Sequence, residues 1–72
     1  MIELKARDLK VGDEFTVNDG ETWNEVEEIL HLRGPVLYFV VRATTFNEHG
    51  APSVLSTKKV LFMLPSRLVI VR

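Results

Sequence analysis

At 72 residues the chain has room for one hydrophobic core and no second domain, because a domain with a core of its own takes at least ~50 residues. It contains no Cys, and His31 and His49 are its only histidines, so neither a disulfide framework nor the usual four-ligand structural zinc site is open to it. A core this small leaves a margin of only about 3–5 kcal/mol, and self-association is then the remaining common way to add to it.

Hydrophobic residues make up 46% of the chain, too many for a disordered segment, and they fall in short runs. The longest, Val36 to Val41, is far below the ~18–20 residues that cross a bilayer. The opening Met1-Ile2-Glu3-Leu4-Lys5 does not have the pattern of a signal peptide, so a cytoplasmic location is expected. The formal net charge of −1 conceals a segregation along the chain. Between Val11 and Leu32 stand seven acids (Asp13, Glu14, Asp19, Glu21, Glu25, Glu27 and Glu28) and no Lys or Arg, whereas Lys58, Lys59, Arg67 and Arg72 follow Glu48 with no acid among them. If the two halves occupy different faces, each can steer a partner of opposite charge.

Along the chain, Ile2, Leu4, Leu9 and Val11 lead to Gly12-Asp13 and the strand-like Glu14-Phe15-Thr16-Val17, which predicts strand, turn and strand. Asn18-Asp19-Gly20 follows, and Asp-Gly suits a two-residue hairpin turn because both central residues need positive φ. Residues 22–33 admit two readings. As a helix, Thr22 is the N-cap, Glu25 completes a capping box, Trp23, Val26, Ile29 and Leu30 form a stripe, and Gly34-Pro35 ends it. As a long strand, Val26, Glu28, Leu30 and Leu32 take alternate positions. The preceding turn and the following apolar, β-branched run Val36–Val41 favour the strand. Thr44 to Pro52 reads as a polar loop, Ser53 to Met63 as a further strand, and Leu68–Val71 as a final strand after the break at Pro65-Ser66.

The opening Ala6-Arg7-Asp8-Leu9-Lys10-Val11-Gly12-Asp13-Glu14-Phe15 resembles the start of many small SH3-like barrels, including the amino-terminal barrel of elongation factor P. The end, from Val60 to Val71, resembles the strand, 3₁₀ turn and closing strand of such barrels. In size and style the chain is also similar to small accessory proteins of actinobacteriophages. The resemblance implies an all-β fold: an SH3-like barrel of five to six antiparallel strands, with a 3₁₀ turn before the last one, spanning residues 1–72 as a single domain. The alternative is an α+β fold with a helix at about 22–33. The chain departs from elongation factor P at residues 33–36, which lack the exposed modifiable Lys or Arg in a long Gly-rich loop, so no translation function carries over.

Chemistry-bearing patterns are weak. Glu28 precedes His31 by three residues, a metal-ligand spacing only on a helix, and a surface histidine beside a carboxylate is the simpler account. Ser53, Ser56 and Ser66 sit in no nucleophile elbow. The glycines fall one per turn and form no phosphate-cradling loop. No catalytic residue, metal or cofactor is expected.

A half-exposed antiparallel strand alternates apolar and polar residues, whereas Val36–Val41 is apolar on both faces. Something must cover the second face: the chain's own loop bearing Phe46, a second copy, or a partner. The expected function is therefore that of a non-enzymatic interaction module, in the style of a phage accessory protein in its host's cytoplasm, binding a protein partner or itself. Its candidate contact residues are Trp23, Glu25, Glu27, Glu28, Tyr38 and Phe46. The alternative is a nucleic-acid-binding barrel that uses Lys58, Lys59, Arg67 and Arg72 as a basic strip, against which the pI of about 6.1 weighs.

Overall fold

A computed structural model describes residues 1–31 and 34–72, with the side chains of 54 and 55 left aside. Six strands form one antiparallel sheet: β1 (Ile2–Lys5), β2 (Glu14–Thr16), β3 (Thr22–Leu30), β4 (Leu37–Phe46), β5 (Pro52–Met63) and β6 (Leu68–Val71). The strand order is β1-β6-β2-β3-β4-β5. The expected all-β architecture is present, and the segment from Thr22 to Leu30 is strand rather than helix. Residues 32 and 33, at the end of the ambiguous segment, lie outside the described residues. The sheet is not closed: the order is linear, and β1 and β5 are its two edges.

Turn chemistry sets the register of the first hairpin. Asp19 and Gly20 have φ of 58° and 87°, and the Glu21 amide donates to the Asn18 carbonyl at 3.3 Å, so both central residues have the positive φ that a type I′ turn demands. The Thr16 hydroxyl accepts from the amides of Asn18 and Gly20 and donates to Asn18 Oδ1 at 2.8 Å. The side chain of Thr16, 2% exposed, thus stands in for the ladder bonds that β2 gives up on entering the turn.

Two expected features move. The 3₁₀ helix lies at Ala6–Asp8, directly after β1. Before β6 there is instead a single turn, in which the Arg67 amide donates to the Leu64 carbonyl at 3.0 Å. The two are joined, since the amides of Ala6 and Arg7 donate to the carbonyls of Arg67 and Pro65 at 2.8 and 3.1 Å. The polar loop expected over 44–52 contracts to Asn47–Ala51, because β4 continues to Phe46 and β5 begins at Pro52. Thr44 and Thr45 are β-branched and extend the strand, and Pro52, with no amide to donate, is tolerated as a first strand residue.

Ala6, Leu9, Phe15, Val26, Phe39, Val41, Met63 and Val69 form the core, with Ile29, Leu37 and Leu61 packed against it. Phe15 meets Phe39 edge-on, with ring centroids 6.4 Å apart. Asn24 shares this inner face opposite Ala43. Its Nδ2 donates to the Phe15 carbonyl at 3.4 Å, while its Oδ1 is buried without a hydrogen-bond partner among the described residues.

The alternation expected for β3 is broken by a β-bulge. Val26 is opposite Val41 but Glu28 is opposite Val40, so Glu27 is an extra residue and every side chain beyond it changes face. Before the bulge Asn24 and Val26 point inward; after it Ile29 does, opposite Phe39. Glu28 and Leu30 therefore lie on the opposite face from Val26, not beside it. Without the bulge, Val26 and Ile29 cannot both be buried. The bulge is needed only because Glu27 is present: its deletion leaves Val26, Glu28, Ile29 and Leu30 in plain alternation on the same faces, so stability is expected to change by no more than about 1 kcal/mol, the value of the exposed pair with Arg42. Urea unfolding followed by circular dichroism measures this.

Candidate functional site

The cross-strand register defines the outer face of the sheet as a series of rows. Leu30, Tyr38 and Phe62 form one; Glu28, Val40 and Val60 form the next; Glu25, Arg42 and Lys58 form the third. None of the apolar members belongs to the core or packs against it. Phe62 is 71% exposed and Val60 56% exposed, while Tyr38, Val40 and Leu30 are half-buried by their neighbours in the sheet. The rings of Tyr38 and Phe62 lie 6.2 Å apart. Leu64, 56% exposed, continues the patch beyond β5 and lines a shallow hollow with Val36 and Phe62. Single exposed apolar residues are ordinary on protein surfaces, but a contiguous patch across three strands is not.

The other end of the same face is covered by the chain itself. Trp23 is 8% exposed, because the 18–21 turn packs over it and Arg72 lies across its ring. A Cβ added at Gly20 would stand 3.5 Å from the indole nitrogen, and the Arg72 guanidinium is 4.2 Å from the ring centroid. Arg72 also pairs with Glu14 at 3.1 Å and lies 5.9 Å from the Phe46 ring. Phe46, at the far end of β4 opposite Pro52, therefore belongs to the Trp23 cluster and does not cover Tyr38 and Val40. Arg42 marks the boundary between the two ends, reaching Glu27 at 3.5 Å.

Of the residues singled out from sequence, Tyr38 and Glu28 lie within or beside the exposed patch, and Glu25 and Glu27 form its acidic flank. Trp23 and Phe46 are placed elsewhere, in the covered cluster. The basic residues do not form one strip. Lys58 and Lys59 are adjacent strand residues and point to opposite faces: Lys58 is opposite Arg42 on the outer face, and Lys59 is opposite Val41 on the inner. Arg67 is in the turn before β6, and Arg72 is occupied by Glu14 and Trp23. His31 lies exposed just after β3, and His49 stands 3.5 Å from Glu48 in the 47–51 loop. No group of three potential metal-ligating side chains forms among the described residues.

Val60 and Phe62 were not among the residues chosen from sequence. The signal was available: Val60-Leu61-Phe62-Met63-Leu64 is apolar at both parities, as Val36–Val41 is. Leu61 and Met63 serve the core, which leaves Val60 and Phe62 to the outside.

Replacing Arg72 by Ala removes the cation over Trp23 and the pair with Glu14. The first is worth about 0.5–2 kcal/mol, and the half-exposed ion pair adds at most about 1. Thermal unfolding is expected to show the loss, together with a red shift in tryptophan emission as the ring gains water. Arg67→Ala, on an exposed turn, should change stability by no more than about 0.5 kcal/mol. Comparison of the chain with protein-family models, with curated protein sequences and with solved structures finds no match.

Proposed function

We propose that the chain is a non-enzymatic interaction module that binds protein through the outer face of β3, β4 and β5. One observation carries this reading: the contiguous apolar surface of Leu30, Tyr38, Val40, Val60 and Phe62, whose outermost members are more than half exposed while the core beneath is complete without them. Patches of this kind mark sites where a partner removes apolar surface from water. Two of the five are aromatic, and tyrosine and phenylalanine combine large contact area with few rotatable bonds, which lowers the entropy lost on docking. The acidic flank of Glu25, Glu27 and Glu28 and the basic Lys58 across the sheet give the patch a charged rim that orients what binds. The resemblance to phage accessory proteins suggests the setting, the cytoplasm of a bacterial host.

The reading is tested by capture from lysate of the native host, comparing the wild-type chain with the double variant Val60→Thr, Phe62→Ser. Both positions are exposed, so the variant is expected to keep the wild-type circular dichroism spectrum. Protein retained by the wild type should fall about tenfold or more with the variant, equivalent to at least ~1.4 kcal/mol at the contact. Equal retention by both, or capture only of nucleic acid in a form that weakens steeply with salt, would overturn the proposal.

A further inference from the structure

The rows on the outer face carry more information than their apolarity, because the charges on either side of them are of opposite sign. β3 contributes Glu25 and Glu28 to this face, with Glu27 reaching Arg42. β5 contributes Lys58, two strands away across β4. The patch thus has acids on its β3 side and one lysine at the matching end of its β5 side, and the row of Glu25, Arg42 and Lys58 is complementary to itself when reversed.

We infer that the partner of this face is a second copy of the chain, stacked face to face about a two-fold axis parallel to β4. This rests on the reading of the patch as an interaction surface and names its occupant. A two-fold interface brings the same patch from both copies together, and a sheet face admits two such axes in the interface plane. An axis across the strands lays β3 on β3 and sets Glu28 against Glu28. An axis along β4 lays the β3 of each copy over the β5 of the other. It places Glu25 over Lys58, Glu28 over Val60 and Leu30 over Phe62, with Tyr38 and Val40 meeting their counterparts on the axis. Only the second arrangement joins opposite charges. Arg42 also lies on that axis, and its charge is met within its own chain by Glu27 at 3.5 Å.

The exposed edge of β5 offers a second route to pairing, strand to strand. Lys59 opposes it: the side chain lies on the inner face, opposite the fully buried Val41, and inward charges on edge strands block the extension of a sheet. Stacking by the face leaves Lys59 in water. The three rows on three strands make a compact contact at the small end of specific interfaces, so the dimer is expected to dissociate at about 1–100 μM.

Sedimentation of the full chain from low micromolar to about 1 mM, a range that spans this affinity, tests the inference. The wild type should pass from monomer to dimer. Phe62→Ser should abolish the dimer, while Val17→Ser, exposed just before the 18–21 turn, should leave it unchanged. Lys58→Glu, and separately the pair Glu25→Lys, Glu28→Lys, should each weaken self-association about five- to tenfold. An equal mixture of these two charge variants should recover a heterodimer of near wild-type affinity, since at both contacts the Lys58→Glu chain then presents acids and the other chain lysines. A wild type that stays monomeric throughout, or a dimer that survives Phe62→Ser, overturns the inference. So does a dimer lost with Phe62→Ser but indifferent to Lys58→Glu, because the axis along β4 requires that contact. A monomer that nonetheless captures a different protein through the patch overturns self-pairing alone and leaves the interaction module standing.

Discussion

The single extra residue at Glu27 is the constraint on which the arrangement of both faces depends. A strand with strict alternation from Trp23 to Leu30 places Val26, Glu28 and Leu30 together, and one face of the sheet then receives a carboxylate between two apolar side chains. The bulge divides them. Val26 stays beneath Val41 and Ile29 meets Phe39, so the core is continuous along the whole strand. The same shift turns Glu28 and Leu30 outward, into the rows of Val40 and Tyr38. One backbone irregularity therefore completes the core and assembles the acidic flank of the outer face at the same time.

That outer face is treated differently at its two ends. Around Trp23 the chain covers its own aromatic surface with the 18–21 turn and with Arg72, which is held in place by Glu14. Around Tyr38 and Phe62 no such cover is provided by the described residues. The separation falls at Arg42 and Glu27, where an ion pair of partly exposed groups contributes little to stability but sets a polar boundary across the sheet. The contrast gives the uncovered end its interest as a binding surface, since the fold shows next to it how a large aromatic side chain is enclosed within the chain.

Much of the fold was legible because several local signals agreed. Asp19-Gly20 specified the positive-φ turn, and the β-branched content of 36–41 and 68–71 specified strands. Residues 22–30 carried helix caps and strand context at once. The ladder to β4 decided in favour of the strand, since tertiary pairing outweighs a capping pattern worth about 1 kcal/mol. The bulge was not legible, because the pattern at 26–30 fits plain alternation until the partner strand is known. The exposed patch was half legible. Tyr38 followed from a run apolar on both faces, but Phe46 and Trp23 were aromatic residues whose covers, Arg72 and the turn at Gly20, are distant or inconspicuous in sequence. Phe62 was hidden within a run that reads as ordinary core.

The pairing of the first strand with the last has a consequence for the order of assembly. Ile2 to Lys5 are matched with Val71 to Leu68, and Phe15 is matched with Val71 as well, so β6 is the link between the edge strand β1 and the rest of the sheet. The hairpins β2–β3 and β4–β5 join neighbours in sequence and pair at low loop-closure cost. The contacts of β6 span almost the whole chain, and such distant pairings slow folding. Val69 belongs to the core with Phe39, Val41 and Met63, so that core is complete only once β6 has paired, whereas the β4–β5 hairpin that carries Tyr38 and Phe62 pairs locally. The outer face of β4 and β5 is thus built from local contacts, while the core beneath it waits on the most distant pairing in the chain.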